Sequence, residues 1–395
     1  MSSAAAAPSP LGMVAEGRAA QLRVELLTGL GAAEATWREL EAEGTASPYQ
    51  RFDWVKAFVE KVMPGADIRI AVARDGAGVP VVLFPFLVER RAGIRIATAL
   101  GGKHANFNLM IGKAGWDLSI PPGGVLGILR ELSRRAGADV IAIPYVPRSW
   151  DARPNPLAAL GTASPSNGYE VLLEPDPDAT ARRSMSNEAR KRLRNKERGL
   201  AKLGEVAFAQ ALDEQSVERL LDAFFRQKEE RFRDLGIPDP FRDPGIRNFI
   251  RMASLEGLSE GRPAIELYGL TVGERVAAVL GGAADASRLS GMFISFEACR
   301  EATKFSPGDI LVSRVVREQC LRGRRYFDLG VGEARYKSTF CNDTVELVDV
   351  FLPVSARGQV YALGLRGLAG LKRRIKQSPA AMRLVSRLRR LKPPA

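Results

Sequence analysis

The feature that most constrains this chain is a plan of elements that occurs twice. In the first half, residues 67–73, 80–89 and 94–100 read as strands, with the turn Asp75-Gly76-Ala77-Gly78 between the first two. In the second half, residues 264–271, 275–282 and 288–294 repeat the trio around the turn Gly273-Glu274. Each trio reads as an antiparallel meander. After the first comes Pro122-Gly123, a helix to Arg135, Gly137 and a strand over 139–145. After the second comes Ser306-Pro307-Gly308-Asp309, a helix to Leu321, Gly323 and a strand over 325–329. Proline opens a helix because its fixed φ suits the first turn, and glycine closes one because it tolerates the left-handed region. Helices precede both trios, over 33–43 and 52–62 in one half and over 214–233 and 245–255 in the other. A chain of 395 residues is long enough for two such domains. The expectation is an α/β fold of the α+β kind, with two tandem domains, each a mixed, largely antiparallel sheet flanked by helices. The boundaries read as a disordered tail over 1–20, an N-terminal domain over 21–180, a C-terminal domain over 181–355 and a basic helical tail over 356–395.

Composition removes much of the catalytic menu. The chain has one histidine, His104, so a histidine-rich metal site is excluded and any serine or cysteine triad would have to use it. Its three cysteines, Cys299, Cys320 and Cys341, lack a Cys-x-x-Cys spacing and read as buried free thiols rather than zinc ligands or a disulfide framework. No metal is expected. No run of about 18 apolar residues occurs, and the first residues lack both a basic start and an apolar stretch. The expected location is the cytoplasm, with peripheral contact at the inner face of the membrane as an option.

That option comes from the charge distribution. The net formal charge is +13, yet residues 350–395 hold eleven Lys/Arg and no Asp or Glu, and residues 182–202 carry a net +7. Subtracting both leaves −5 for everything else, so the protein is a mildly acidic body with two basic segments. The tail reads as a helix with Tyr361, Leu365, Leu368 and Ile375 on one face. A second short helix follows Pro379, with Arg383, Arg387 and Arg390 beside Leu384, Leu388 and Leu391. Such a helix docks on its own domain or lies on an anionic membrane. The other basic segment reads as a helix capped by Ser186 or Asn187, with Met185, Ala189, Leu193 and Leu200 inward and Arg190, Lys191, Arg194 and Arg198 outward. Its outer face is either solvated or turned to phosphates. A strand, tight turn and helix start at Ser306-Pro307-Gly308 would also present backbone N–H groups to an anion.

In order and spacing these segments resemble the GNAT acyltransferase superfamily, and more closely the CelD-like acetyltransferases, which are similar to Fem-type aminoacyltransferases. The resemblance is carried by Ser186 to Arg194, Phe305-Ser306-Pro307-Gly308-Asp309-Ile310-Leu311, Gly323, Phe327-Asp328-Leu329-Gly330, Gly332-Glu333 and Tyr336-Lys337. The first half adds Pro48 to Trp54 and Leu100-Gly101-Gly102. The resemblance implies two tandem GNAT-like domains and transfer from acetyl-CoA or another acyl-CoA to an amine or hydroxyl of a small-molecule or saccharide acceptor, with envelope polysaccharide biosynthesis as a setting. It implies Ser306, Gly308 and Asp309 as the residues that bind the acyl donor. The usual Arg/Gln-x-x-Gly-x-Gly/Ala pyrophosphate loop is missing, and Ser306-Pro307-Gly308 stands in its place. Acid–base candidates are Asp328, Glu333, Tyr336 and His104, and Lys337 is a candidate to hold a phosphate or an oxyanion. Nucleic acid is not an expected partner, except tRNA if the donor is an aminoacyl-tRNA as in Fem-like enzymes. A third reading is a non-catalytic accessory protein in polysaccharide assembly.

Overall fold

A computed structural model describes residues 22–114, 122–334 and 336–378. The expected tail over 1–20 and the second short helix after Pro379 lie outside them. From the N-terminus the chain forms β1 (Arg23–Thr28), α1 (Glu34–Glu43), α2 (Phe52–Val62), β2 (Ile68–Arg74), β3 (Pro80–Arg91), β4 (Ile94–Ala99) and β5 (Ile111–Gly112). There follow α3 (Pro122–Ala136), β6 (Val140–Pro147), β7 (Ser149–Trp150), β8 (Arg153–Pro154), β9 (Thr162–Ala163) and β10 (Gly168–Leu172). Next come α4 (Pro177–Ser184), α5 (Asn187–Leu200), β11 (Val206–Gln210), α6 (Glu214–Leu235), α7 (Pro244–Leu255), β12 (Ile265–Val272), β13 (Arg275–Ala284) and β14 (Arg288–Phe296). The chain continues through α8 (Arg300–Thr303), α9 (Pro307–Leu321), β15 (Tyr326–Val331), α10 (Lys337–Phe340), β16 (Asp343–Val345), β17 (Leu347–Pro353) and α11 (Ala356–Gln377).

The repeated plan gives two sheets of like construction. One runs β1-β2-β3-β4-β6-β17-β9, with β5 also paired to β3, and the other runs β11-β12-β13-β14-β15-β10-β16. In each, three meander strands are followed by one parallel step across a helix: β4 beside β6, and β14 beside β15. All other pairs named here are antiparallel.

The strands do not divide at the contiguous boundaries read from the sequence. The first unit comprises residues up to Phe52, Gly65–Ser164 and Glu346–Lys372, and the second comprises Asp53–Pro64, Pro165–Val345 and the residues from Arg373 on. β10, expected in the N-terminal domain, pairs with β15 in the second sheet, and β17, from the end of the C-terminal domain, pairs with β6 in the first. Each sheet thus receives its strand beyond the parallel step from the other half of the chain. The reason is a matter of pairing: β6 and β15 each have an open edge once the parallel step is made, and a buried edge must find hydrogen-bond partners. Most of α2 likewise belongs to the second unit, where the Trp54 ring meets Phe249 edge-on at a centroid distance of 5.1 Å.

Each unit has its own core. Phe84, Phe86, Val125, Leu129, Ile141 and Val350 are among the buried residues of the first. Tyr268, Leu280, Leu289, Leu311, Val315 and Phe327 are among those of the second. The helix α9 is fixed to β12 at its far end. There the Arg324 guanidinium grips the buried Glu266 carboxylate with two bonds of 2.7 Å, and the Tyr268 hydroxyl donates to the same carboxylate at 2.6 Å. That leaves the start of α9 held in a set place beside the end of β14.

Candidate active site in the second unit

The parallel step in the second sheet is short. Only three rungs pair, Arg288 with Tyr326, Leu289 with Phe327 and Ser290 with Asp328, although β14 runs on to Phe296 and β15 to Val331. Past Ser290, β14 stays with β13, and past Asp328, β15 stays with β10. The two strands therefore part, and among the described residues no strand enters between them. The matching step of the first sheet is crossed by its own chain. There the Asn108 backbone N–H donates to Tyr145 O at 3.0 Å, its side-chain amide donates to Pro144 O at 2.7 Å, and β5 then pairs with β3.

A buried ionic group stands at the last rung of the second sheet. Asp328 is fully buried. Its carboxylate accepts from Ser290 Oγ at 2.7 Å and from the Gly330 N–H at 2.9 Å, and it lies 3.3 Å from Arg288 Nη1. The same Arg288 nitrogen donates to Glu170 at 2.7 Å, and the guanidinium lies 4.4 Å over the Tyr326 ring. Burial pushes the Asp328 carboxyl up to about 6, against the pull of Arg288 and Ser290. Lys337 is buried too and donates from Nζ to Gly330 O at 3.2 Å and Val331 O at 3.0 Å, which fixes the open end of β15. Burial lowers its pKa, and the Asp328 charge opposes that. Burial also raises the Tyr336 hydroxyl and the Cys341 thiol. Glu333 is exposed, and its charge acts on Lys337 and on Tyr169.

Ser306, Gly308 and Asp309 lie at the start of α9. Ser306 has a left-handed backbone, φ +49°, which turns the chain into the helix. The bare N–H groups expected there are partly taken: both Asp309 and Ile310 donate to Ser306 O. A Cβ on Gly308 would sit 3.5 Å from Phe296 and 3.7 Å from Ile294, ordinary contact distances, so packing does not demand glycine. The cation at this helix start was not read from the sequence. Lys196 of α5 donates to Ser306 Oγ and to Asp309 Oδ2, each at 2.9 Å. Residues 187–200 do form the expected helix, capped by Ser186, with Lys191, Arg192, Arg194 and Arg198 exposed. α5 lies close against this corner: a Cβ on Gly199 would fall 2.3 Å from a carbon of the Phe305 ring.

The structure thus brings Asp328, Lys337, Tyr336 and Glu333 to the open end of β15, and Ser306, Gly308 and Asp309 to the start of α9. His104 belongs to the first unit, in the turn Gly102–His104 after β4. Of the cysteines expected to be buried, Cys320 and Cys341 are, while Cys299 is half-exposed ahead of α8. Arg288, Ser290, Glu170 and Lys196 went unread. Arg288 and Ser290 look like outward polar positions of an alternating strand, and only the β14–β15 register turns them inward. Among the described residues no group of His, Cys, Asp and Glu could hold a metal ion, and no helix is long and apolar enough to cross a membrane.

Residues 187–338 match the family model described as an acetyltransferase (GNAT) domain. No curated protein matches the chain. Among solved structures, FemX aligns at 10% identity with a TM-score of 0.58, covering 86% of this chain and 99% of its own. A conserved protein of unknown function from Bacteroides thetaiotaomicron VPI-5482 aligns at 12% identity, TM-score 0.53, over 82% of this chain and 97% of its own. A C-terminal domain from Agrobacterium fabrum, assigned by name to a lysylphosphatidylglycerol synthetase, aligns at 14% identity, TM-score 0.51, over 86% and 96%. At such identities these likenesses speak for the fold alone. With the parallel step, the crossover helix and the matched residues in one unit, residues 187–338 are similar to an acetyltransferase (GNAT) domain in fold and sequence, and the chain reads as a transferase enzyme of that fold.

Proposed function

We propose that the second unit moves an acyl group from an acyl-CoA to an amine or hydroxyl acceptor at the opening between β14 and β15. The observation that carries this reading is the parting of these strands directly after the Ser290–Asp328 rung, with the start of α9 against Ile294 and Phe296 on the parted stretch of β14. In the reaction the thioester C–S bond breaks, a C–N or C–O bond forms, the acceptor gives up a proton and the thiolate leaves and is protonated. Strand ends that part leave backbone N–H groups able to meet the oxyanion as it develops. The donor's phosphates fit the start of α9, where Lys196 and the exposed cations of α5 lie. Asp328 and Lys337 are positioning residues in this reading, because their polar atoms already hold Ser290, Arg288 and the end of β15. Glu333, exposed just beyond, takes the acceptor proton, with Tyr336 beside it. The motif order that resembles CelD-like enzymes is what supports a saccharide acceptor.

A second reading is favoured by one observation: the exposed cations of α5 extend along a whole helix, which also suits the backbone of an aminoacyl-tRNA. Calorimetric titration separates the two. Acetyl-CoA is expected to bind with a Kd between roughly 1 μM and 1 mM, and Lys196→Ala to weaken it. Binding to no acyl-CoA, together with tRNA binding that falls steeply with salt, would replace the first reading by the second.

A further inference from the structure

The helix α11 buries one side and exposes an apolar opposite side. Ala362 and Ala369 are buried, and Tyr361 and Leu365 pack with them against Ile96, Val140, Ala142 and Phe351. At 100° per residue, Val360, Leu363 and Leu371 fall on the far face together with Gly364 and Gly367, and Leu368 falls at its border. These four large side chains are 73%, 59%, 56% and 56% exposed for Val360, Leu363, Leu371 and Leu368. Leu368 had been expected on the packed face. A contiguous apolar stripe of this kind on one helix marks a surface that meets something.

The charges around the stripe indicate what it meets. α11 carries Arg357, Arg366, Lys372, Arg373, Arg374 and Lys376 and no acidic residue. Arg357 pairs with Asp139 at 3.4 Å, Arg366 donates to Phe351 O at 2.7 Å, Lys376 bonds Ser166, and Lys372 acts on the buried Asp349. The Arg373 and Arg374 side chains are exposed and, among the described residues, make no hydrogen bond or ion pair; Arg373 lies at the angle of Ala362, off the stripe. Arg374 lies one turn on from Leu371, on the stripe itself. The sequence after Ser378 adds Arg383, Arg387, Arg389, Arg390 and Lys392, again with no acidic residue. Two copies of this face would set like charges against each other. A surface of anionic groups over hydrocarbon satisfies both the leucines and the arginines.

We infer that the α11 face formed by Val360, Leu363, Leu368 and Leu371 with Arg374 docks this protein on an anionic lipid bilayer. The apolar side chains enter the headgroup boundary and Arg374 meets lipid phosphates. The contact is peripheral and independent of the acyl-transfer reading.

Flotation of the full chain with phosphatidylcholine vesicles, with and without phosphatidylglycerol, tests this. Binding is expected only to the vesicles with phosphatidylglycerol. It should fall as salt is raised from about 0.1 M to about 1 M, where the screening length shrinks from ~10 to ~3 Å. The double variant Leu363→Ser/Leu371→Ser alters only exposed positions. It should keep the wild-type melting transition and bind at least about tenfold more weakly. Arg374→Glu should weaken the preference for phosphatidylglycerol. No binding by the wild type to the anionic vesicles, or equal binding by the leucine variant, overturns the inference. A concentration-dependent dimer that the leucine variant abolishes, without vesicle binding, overturns it in favour of a second copy of the chain.

Discussion

Arg288 and Asp328 lie on adjacent parallel strands with Nη1 and Oδ2 3.3 Å apart, both buried, at the point where those strands stop pairing. The pair is a consequence of register: Ser290 stands opposite Asp328, which places Arg288 two residues back on the same face. A buried carboxylate without its cation is costly, so breaking this pair from one side should be severe. Arg288→Met is expected to destabilise the protein by about 3–5 kcal/mol. Urea unfolding of the variant against the wild type measures it, and a loss below about 1 kcal/mol would mean that Glu170 and solvent, not Asp328, are what Arg288 serves.

The raised Asp328 carboxyl gives a stability term with a definite sign. Its folded pKa, about 6, lies above the ordinary carboxylate value, so the folded state binds the proton more tightly than the unfolded state does. That contribution is full below about pH 4 and is lost as pH rises through about 6. Asp328→Asn removes it. The stability difference between wild type and variant should therefore change by about 2 kcal/mol between pH 4 and pH 7, with the wild type losing ground as pH rises. A difference that stays flat over that range would show that Arg288 already cancels the cost of burial.

Asp309 holds the Lys196 ammonium at 2.9 Å, at the place where a donor's phosphate is proposed to bind. Both side chains are about one-third exposed, so the pair itself is worth little, about 0–1 kcal/mol. Asp309→Asn frees the ammonium and removes a negative charge from the helix start. Acetyl-CoA should bind about two- to fivefold more tightly to this variant in calorimetry. Weaker binding would mean that Asp309 is itself a ligand of the donor.

Two glycines near this corner should respond in opposite ways. Gly199→Ala puts a carbon 2.3 Å from the Phe305 ring and is expected to cost about 1–3 kcal/mol, partly restored by Phe305→Leu. Gly308→Ala meets its neighbours at ordinary distances and should change the melting temperature little. If Gly308→Ala nevertheless abolishes acetyl-CoA binding, the donor approaches the backbone there more closely than a methyl group allows.

Much of the fold was legible because it is written locally. The meander strands announced themselves as short β-rich runs bounded by the turns at Asp75-Gly76 and Gly273-Glu274, and α3 and α9 by Pro122 and Pro307. The candidate site was legible only in part. Asp328, Glu333, Tyr336 and Lys337 fall within one short stretch that reads as a strand end and loop, and the structure gathers them there. Arg288, Ser290, Glu170 and Lys196 could not be read, because their partners are 38 to 118 residues away along the chain.

By itself, then, the sequence determined the two repeated sets of elements, since turn chemistry and hydrophobic period act within a few residues. Tertiary structure alone decided that β10 and β17 exchange sheets and that α2 packs with Phe249. It alone decided that Asp328 is a buried partner of Arg288 and not a solvated turn carboxylate. These are choices among sheet edges and neighbours far apart in the chain, and they are settled by which pairing leaves the fewest buried polar groups unmet.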